Sequence, residues 1–216
     1  MSTIYKFALF LFLALAGAAS CIPVKLAERL IPEPAVSVIP QPWRVEVLPG
    51  SFTLVPGTTL VLPEGSAAEE AAMDFKARLA AAFGLDLPVV RADRPAASPA
   101  LFFKSGADPE LDPEGYRLVV RPDGITLEAG TDRGFLSGTQ TILQLCPPSV
   151  YGREGAAAGP LTIRCVSITD RPRFAWRGLL LDVSRHFFPK EFILRLIDEL
   201  AIHKMNTFHW HLTDDQ

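Results

Sequence analysis

Between Trp176 and Gln216 an unbroken apolar stretch, an amphipathic helix pattern and a second strand pattern follow one another, and this succession restricts the fold more than any other feature. Gly178-Leu179-Leu180-Leu181-Asp182-Val183 is nearly all apolar, as expected of a strand buried on both faces of a parallel sheet. Ser184-Arg185-His186 follows at its carboxyl end, and Phe187-Phe188-Pro189 turns the chain. From Lys190 to His203 the apolar residues Phe192, Ile193, Leu196, Ile197, Leu200 and Ala201 recur at intervals of three and four, with Pro189 at the helix start. Asn206 to Leu212 reads as the second strand, with Thr213-Asp214-Asp215 at its carboxyl end. Neighbouring strands lie about 5 Å apart, so Arg185 and the aspartate pair come from equivalent positions on one sheet edge. Barrels and open parallel sheets place their active sites there.

Upstream, strand-like segments at Val45–Leu48, Thr58–Leu62, Leu101–Lys104, Tyr116–Val120, Gly124–Ala129 and Leu161–Ile168 are separated by Pro, Gly and Asp clusters. Pro122-Asp123-Gly124 is a hairpin signal. Two helices are expected among them. One runs from Ala67 to Phe83, opened by a capping box of Ser66 and Glu69 and stopped by Gly84; the other runs from Asp132 to Leu145 and stops before Pro147-Pro148. Residues 43–170 therefore form a mixed sheet covered by helices, and 152–159 is a small-residue loop. This region shows no nucleotide-binding glycine pattern, no paired-cysteine metal motif and no nucleophile elbow. Its expected role is to pack against the strand–helix–strand unit at the C-terminal end. Asp132 reads as a helix N-terminal carboxylate near the positive end of the dipole.

At the N-terminus, Lys6 precedes an apolar run from Phe7 to Ala19, short for a membrane span of about 20 residues and typical of a signal peptide over residues 1–20. Ala18-Ala19-Ser20 leads into Cys21, which resembles a bacterial lipoprotein cleavage site with Cys21 as the lipidated residue and membrane anchor. Conventional cleavage near Ala19 is the alternative. Residues 21–42, with Pro32, Pro34, Pro40 and Pro42, read as an extended spacer. Cys146 and Cys165 remain, either as a disulfide or as buried free thiols. A net charge of −3 and a pI near 5.8 offer no basic field for nucleic acid.

Taken as chemistry, Arg185 offers a planar fork of donors suited to a polar ligand held at two points, or else forms a rim ion pair with one of the aspartates. His209 and His211 share one face of their strand, with Trp210 on the other. Such a pair could serve a metal-dependent hydrolase of the amidohydrolase type with Asp214 or Asp215, or could simply pack and hydrogen-bond, the preferred reading for His209. Arg177, at the start of its strand, sits at the stability end.

Three blocks carry a resemblance: Arg171 to Gly178 (RPRFAWRG), Leu181 to Phe187 (LDVSRHF) and Asn206 to Gln216 (NTFHWHLTDDQ). Together they resemble the opening of the catalytic barrel of family 20 glycoside hydrolases, the β-N-acetylhexosaminidases. The resemblance implies an α/β architecture, an N-terminal α+β sandwich-like domain at 43–170 followed at 171–216 by the first part of a (β/α)8 TIM barrel, truncated. It implies removal of terminal β-linked N-acetylglucosamine or N-acetylgalactosamine with retention, the substrate's own 2-acetamido group acting as nucleophile. Arg185 and Asp214 would then bind the terminal sugar, with His211 and Asp215 supporting them. The acetamido-orienting Asp and the acid Glu would lie beyond Gln216, so these residues alone are expected to be inactive, with no catalytic residue, cofactor or metal of their own. A surface-anchored glycan-binding module without catalysis is the reading from a different class.

The anchoring expectation has a direct check. Expressed in a Gram-negative host, the protein should fractionate with membranes, and Cys21→Ser should release it or block its processing. Equal membrane retention of a normally processed serine variant would show that the signal is not a lipoprotein signal.

Overall fold

The computed structural model describes residues 36–95, 99–106, 111, 113–152 and 161–214. The proposed lipidation residue Cys21 and the supporting carboxylate Asp215 lie outside them. Among the described residues no helix is long and apolar enough to cross a membrane.

Seven strands form one mixed sheet: β1 (Arg44–Leu54), β2 (Thr59–Leu62), β3 (Val89–Arg91), β4 (Ala100–Ser105), β5 (Tyr116–Arg121), β6 (Gly124–Ala129) and β7 (Leu161–Asp170), in the order β1-β7-β5-β6-β4-β2-β3. The β1, β7, β5 and β6 pairings are antiparallel; β6, β4, β2 and β3 are parallel. Two helices, α1 (Glu69–Phe83) and α2 (Asp132–Leu145), cover one face. The period-two alternation of β6 decides that face: Ile125, Leu127 and Ala129 are buried in the main core while the intervening residues are half-buried. Phe75 and Leu79 of α1 and Phe135 and Ile142 of α2 join the same core. Gly138 permits the close approach of α2, since a Cβ there would stand 2.3 Å from Leu127 Cδ1.

Several local expectations are changed. β1 does not stop at Leu48: Gly50, at φ 92°, takes the left-handed conformation that glycine tolerates, and the strand resumes past a bulge to pair Ser51 with Arg164. The capping box of α1 does not form. The Ser66 hydroxyl accepts the Ala68 N–H instead, and Glu69 is taken by a bidentate pair with Arg91 of β3, a charge-assisted contact stronger than a neutral cap. Arg91 accordingly holds the Glu69 carboxyl below its ordinary range. The spacer ends earlier than residue 42, because Val38 and Pro42 are buried and Ile39 exchanges two hydrogen bonds of 2.7 Å with the Gln144 side chain. Cys146 and Cys165 are buried free thiols, not a disulfide.

A second, two-stranded parallel sheet is formed by β8 (Gly178–Asp182) and β9 (Thr207–His211), joined by α3 (Lys190–Ile202). Among the described residues the strand expected to be buried on both faces is only partly covered: Leu180 is 56% exposed, and β8 pairs there with β9 alone. Of the apolar stripe on α3, Ile193 and Leu200 are buried, whereas Phe192 and Ile197 remain exposed.

A polar cluster joins this unit to the seven-stranded sheet. Lys204 Nζ donates to Asp170 Oδ2 and to the Tyr116 hydroxyl, both at 2.9 Å, and Tyr116 donates to the same carboxylate oxygen at 3.0 Å. The other oxygen, Asp170 Oδ1, accepts the Trp43 and Arg171 N–H groups. Lys204 adopts φ 56°, closing the end of α3 so that Met205 N–H reaches Leu200 O. That conformation costs a non-glycine residue about 1–2 kcal/mol. Nearby, Arg177 donates to Lys204 O and Phe174 O and pairs with Glu114, which also accepts from Asn206 at 3.0 Å.

Lys204→Ala strands the Asp170 carboxylate without its cation and should cost about 3–5 kcal/mol in urea unfolding. Lys204→Gly should cost about 1 kcal/mol less than the alanine, because it relieves the positive φ; equal losses would remove the backbone argument. Burial pushes the Cys146 thiol up to about 12. An unfolded thiol titrates near 8.5, so the stability that its burial contributes is complete below that pH and falls by about 1.4 kcal/mol per unit above it. Tyr116, raised by burial and by Asp170, acts in the same sense at higher pH, and Lys204, lowered by burial, in the opposite one. Cys146→Ala should flatten the decline of the melting midpoint between about pH 8.5 and 10; an unchanged slope would assign that decline to another group.

Candidate active site

The parallel register of β8 and β9 sets Asp182 opposite His211, so the residues three beyond each, Arg185 and Asp214, leave the sheet side by side. Arg185 Nη2 stands 2.7 Å from Asp214 Oδ2, and Nη1 stands 2.5 Å from Asp182 Oδ2. The guanidinium is thus held between two carboxylates from consecutive strands, while its side chain stays 63% exposed. Asp182 Oδ1 also accepts the Ser184 and Arg185 N–H groups at 3.0 and 3.2 Å, folding the chain after β8 into a turn closed by an aspartate. These bonds, led by the Arg185 side chain, hold the Asp182 carboxyl below its ordinary range.

His211 completes the cluster. Its Nε2 lies 3.3 Å from Asp214 Oδ1 and its Nδ1 lies 3.6 Å from Asp182 Oδ1, so both nitrogens face carboxylates. His209, two residues earlier, is exposed among the described residues, where β9 pairs with β8. Among the described residues no group of three or more His, Cys, Asp or Glu has the geometry to hold a metal ion.

Arg185, Asp214 and His211, each singled out from the sequence, are therefore brought together. Asp182 was not singled out. Its signal was an acidic residue ending an otherwise apolar strand three positions before an arginine, an arrangement that both caps a turn and pairs a guanidinium. Of the two readings of Arg185, the structure shows the rim ion pair, made by Nη1 with Asp182 and Nη2 with Asp214 on a side chain that stays 63% exposed. His186 and Phe188 meet edge to face at 5.1 Å, and Phe188 stacks on Phe192 at 4.7 Å, which ties the loop after Arg185 to the start of α3.

A cavity of about 940 Å³ lies at the other end of β8, lined among others by Trp43, Glu114, Asp170, Arg173, Arg177 and Lys204. It is chemically committed. The Asp170 and Glu114 carboxylates are engaged by Lys204 and Arg177, and the guanidiniums of Arg44 and Arg171 lie 4.2 and 4.1 Å from the Trp43 ring centroid. The exposed donors at the carboxyl ends of β8 and β9 are the better candidate for chemistry on a polar ligand.

Residues 35–171 match glycosyl hydrolase family 20, domain 2, and residues 174–216 match the glycosyl hydrolase family 20 catalytic domain. A beta-hexosaminidase from Vibrio furnissii is 36% identical over 181 residues, covering 84% of this chain and 27% of that protein. A beta-N-acetylhexosaminidase from Cellulomonas fimi is 35% identical over 188 residues, covering 85% of this chain and 36% of that protein. The structure of a family 20 beta-N-acetylhexosaminidase from Streptomyces coelicolor superposes with a TM-score of 0.77 at 34% identity, over 86% of this chain and 36% of that one. An exo beta-N-acetylglucosaminidase from Vibrio harveyi, solved in complex with N-acetylglucosamine, gives 0.69 at 35% identity, over 84% and 26%. The chain thus spans about a quarter to a third of the length of these relatives. With both of its domains matched, the larger over more than half its length, the chain belongs to glycosyl hydrolase family 20.

Proposed function

We propose that these residues are the N-terminal part of a β-N-acetylhexosaminidase that removes terminal β-linked N-acetylglucosamine or N-acetylgalactosamine from glycans. The observation that carries this reading is the convergence of Arg185, Asp214, His211 and Asp182 at the carboxyl ends of two parallel strands, within a chain of this family. The β8–α3–β9 unit is read as the opening of a (β/α)8 barrel, whose active sites gather at that end. Arg185 binds hydroxyls of the terminal sugar through its remaining N–H groups, and Asp214 accepts from both the guanidinium and the sugar.

Chemistry in the family follows the substrate-assisted route, in which the 2-acetamido carbonyl attacks the anomeric carbon. An Asp orients that group and a Glu protonates the leaving oxygen. Neither is supplied by residues 1–216, whose share is binding and orientation. The signal-like N-terminus and Cys21 support export and lipid anchoring on the membrane, which would hold the enzyme among extracytoplasmic glycans.

The whole protein is expected to hydrolyse a chromogenic β-N-acetylglucosaminide, with activity that survives a chelator. Loss on chelation and recovery with zinc would favour a metal site at the paired histidines. In the same protein Arg185→Lys keeps the charge but loses the two-pronged geometry. Each charge-assisted hydrogen bond lost is worth about 1.5–3 kcal/mol, so kcat/KM should fall tenfold or more. Unchanged kinetics in a folded variant would remove Arg185 from the site.

A further inference from the structure

We infer that Asp182 is the positioning residue for Arg185, setting the orientation in which the guanidinium meets the sugar; the inference rests on the hydrolase reading above. An arginine on an exposed loop would otherwise sample many rotamers, since its side chain is 63% exposed and little of it is packed in place. Asp182 removes that freedom at both ends of the residue. Its Oδ1 accepts the Arg185 backbone N–H at 3.2 Å, together with that of Ser184 at 3.0 Å, which fixes where the side chain leaves the main chain. Its Oδ2 meets Nη1 at 2.5 Å, which fixes where the side chain ends.

Asp214 cannot do this alone. It contacts only Nη2, at 2.7 Å, and a single contact leaves a planar fork free to swing about that bond. With Asp182 on Nη1 and Asp214 on Nη2 the plane is defined, and the five N–H donors of the guanidinium exceed the two carboxylate contacts. His211 lies between the two carboxylates, 3.6 Å from Asp182 Oδ1 and 3.3 Å from Asp214 Oδ1. Asp182 itself ends β8 opposite His211 in the parallel ladder, so its place is set by strand register and not by a mobile loop.

Asp182→Asn separates the two functions, because the amide oxygen still accepts both backbone N–H groups while the amide nitrogen presents donors to Nη1. In the whole protein this variant should raise KM for a chromogenic β-N-acetylglucosaminide about tenfold and lower kcat less than threefold. Its melting midpoint should match that of the wild type. Added to Arg185→Ala, the same change should alter KM less than twofold, because the residue through which Asp182 acts is gone. An unchanged KM in Asp182→Asn, or an equal loss in the Arg185→Ala background, would overturn the inference. Side-chain NMR of the 216-residue chain reads the contact without turnover: a pinned guanidinium gives separate, slowly exchanging Arg185 Nη resonances that should coalesce in Asp182→Asn. Identical spectra would overturn the inference as well. A wild-type protein that fails to turn over the substrate would instead refute the hydrolase reading, leaving the Asp182 contact to be judged by the spectra.

Discussion

The ion pair between Lys204 and Asp170 governs how the two sheets of this protein belong together. Both side chains are almost out of solvent, at 8% and 12% exposure, and neither charge would be tolerated there without the other. The pair is satisfied by more than its own attraction. Tyr116 bridges the two groups, its hydroxyl accepting from Lys204 and donating to Asp170, and Thr141 of α2 lies 2.5 Å from the same hydroxyl. Burying a complete network avoids the penalty of a half-satisfied one. Because Tyr116 belongs to β5, Asp170 to β7 and Lys204 to the turn before β9, three distant stretches of chain converge on one carboxylate.

That demand explains a broken local rule. The position after α3 has a positive φ, where glycine is usual, and glycine does close α1 at Gly84. Lysine stands at the corresponding place after α3 because only a long cationic side chain leaving at that point reaches Asp170. The unfavourable backbone conformation is offset by the charge network it makes possible. Arg177 and Asn206 reinforce the arrangement from the neighbouring turn, binding Glu114 in the turn before β5 and each other's backbone or side chain at the start of β8 and β9.

What could be read from the sequence was whatever local chemistry decides. The limits of α2 and β6 are those expected, because the polar start at Thr131-Asp132, the Pro147-Pro148 stop and the Asp123-Gly124 turn act within a few residues of where they stand. The parallel β8–α3–β9 unit was legible for the same reason. Features that depend on distant partners were not. Ser66 and Glu69 have the spacing of a capping box, yet Arg91, 22 residues along the chain, claims the glutamate. The three residues of β3 carry too little pattern to announce a strand, and the continuation of β1 past Gly50 depends on a bulge visible only against β7. Nothing in the sequence around Lys204 announces its partner Asp170, 34 residues away.

The candidate site depends on the same contacts through strand register. In the parallel pair Gly178 stands opposite Thr207 and Asp182 opposite His211, and the backbone of Arg177 accepts from both Asn206 and Thr207 at the entry to the ladder. A slip of one residue would turn every side chain of β9 to the other face, and a slip of two would move Asp214 by about 7 Å relative to Arg185. Either would break the clamp that now spans 2.5 Å on one side of the guanidinium and 2.7 Å on the other. The entry of the ladder is therefore where the geometry of its exit is decided: Arg177, Asn206 and Lys204 lie at the end of β8 and β9 away from the Arg185 guanidinium, but they fix which residues of the two strands face each other where Arg185 and Asp214 emerge.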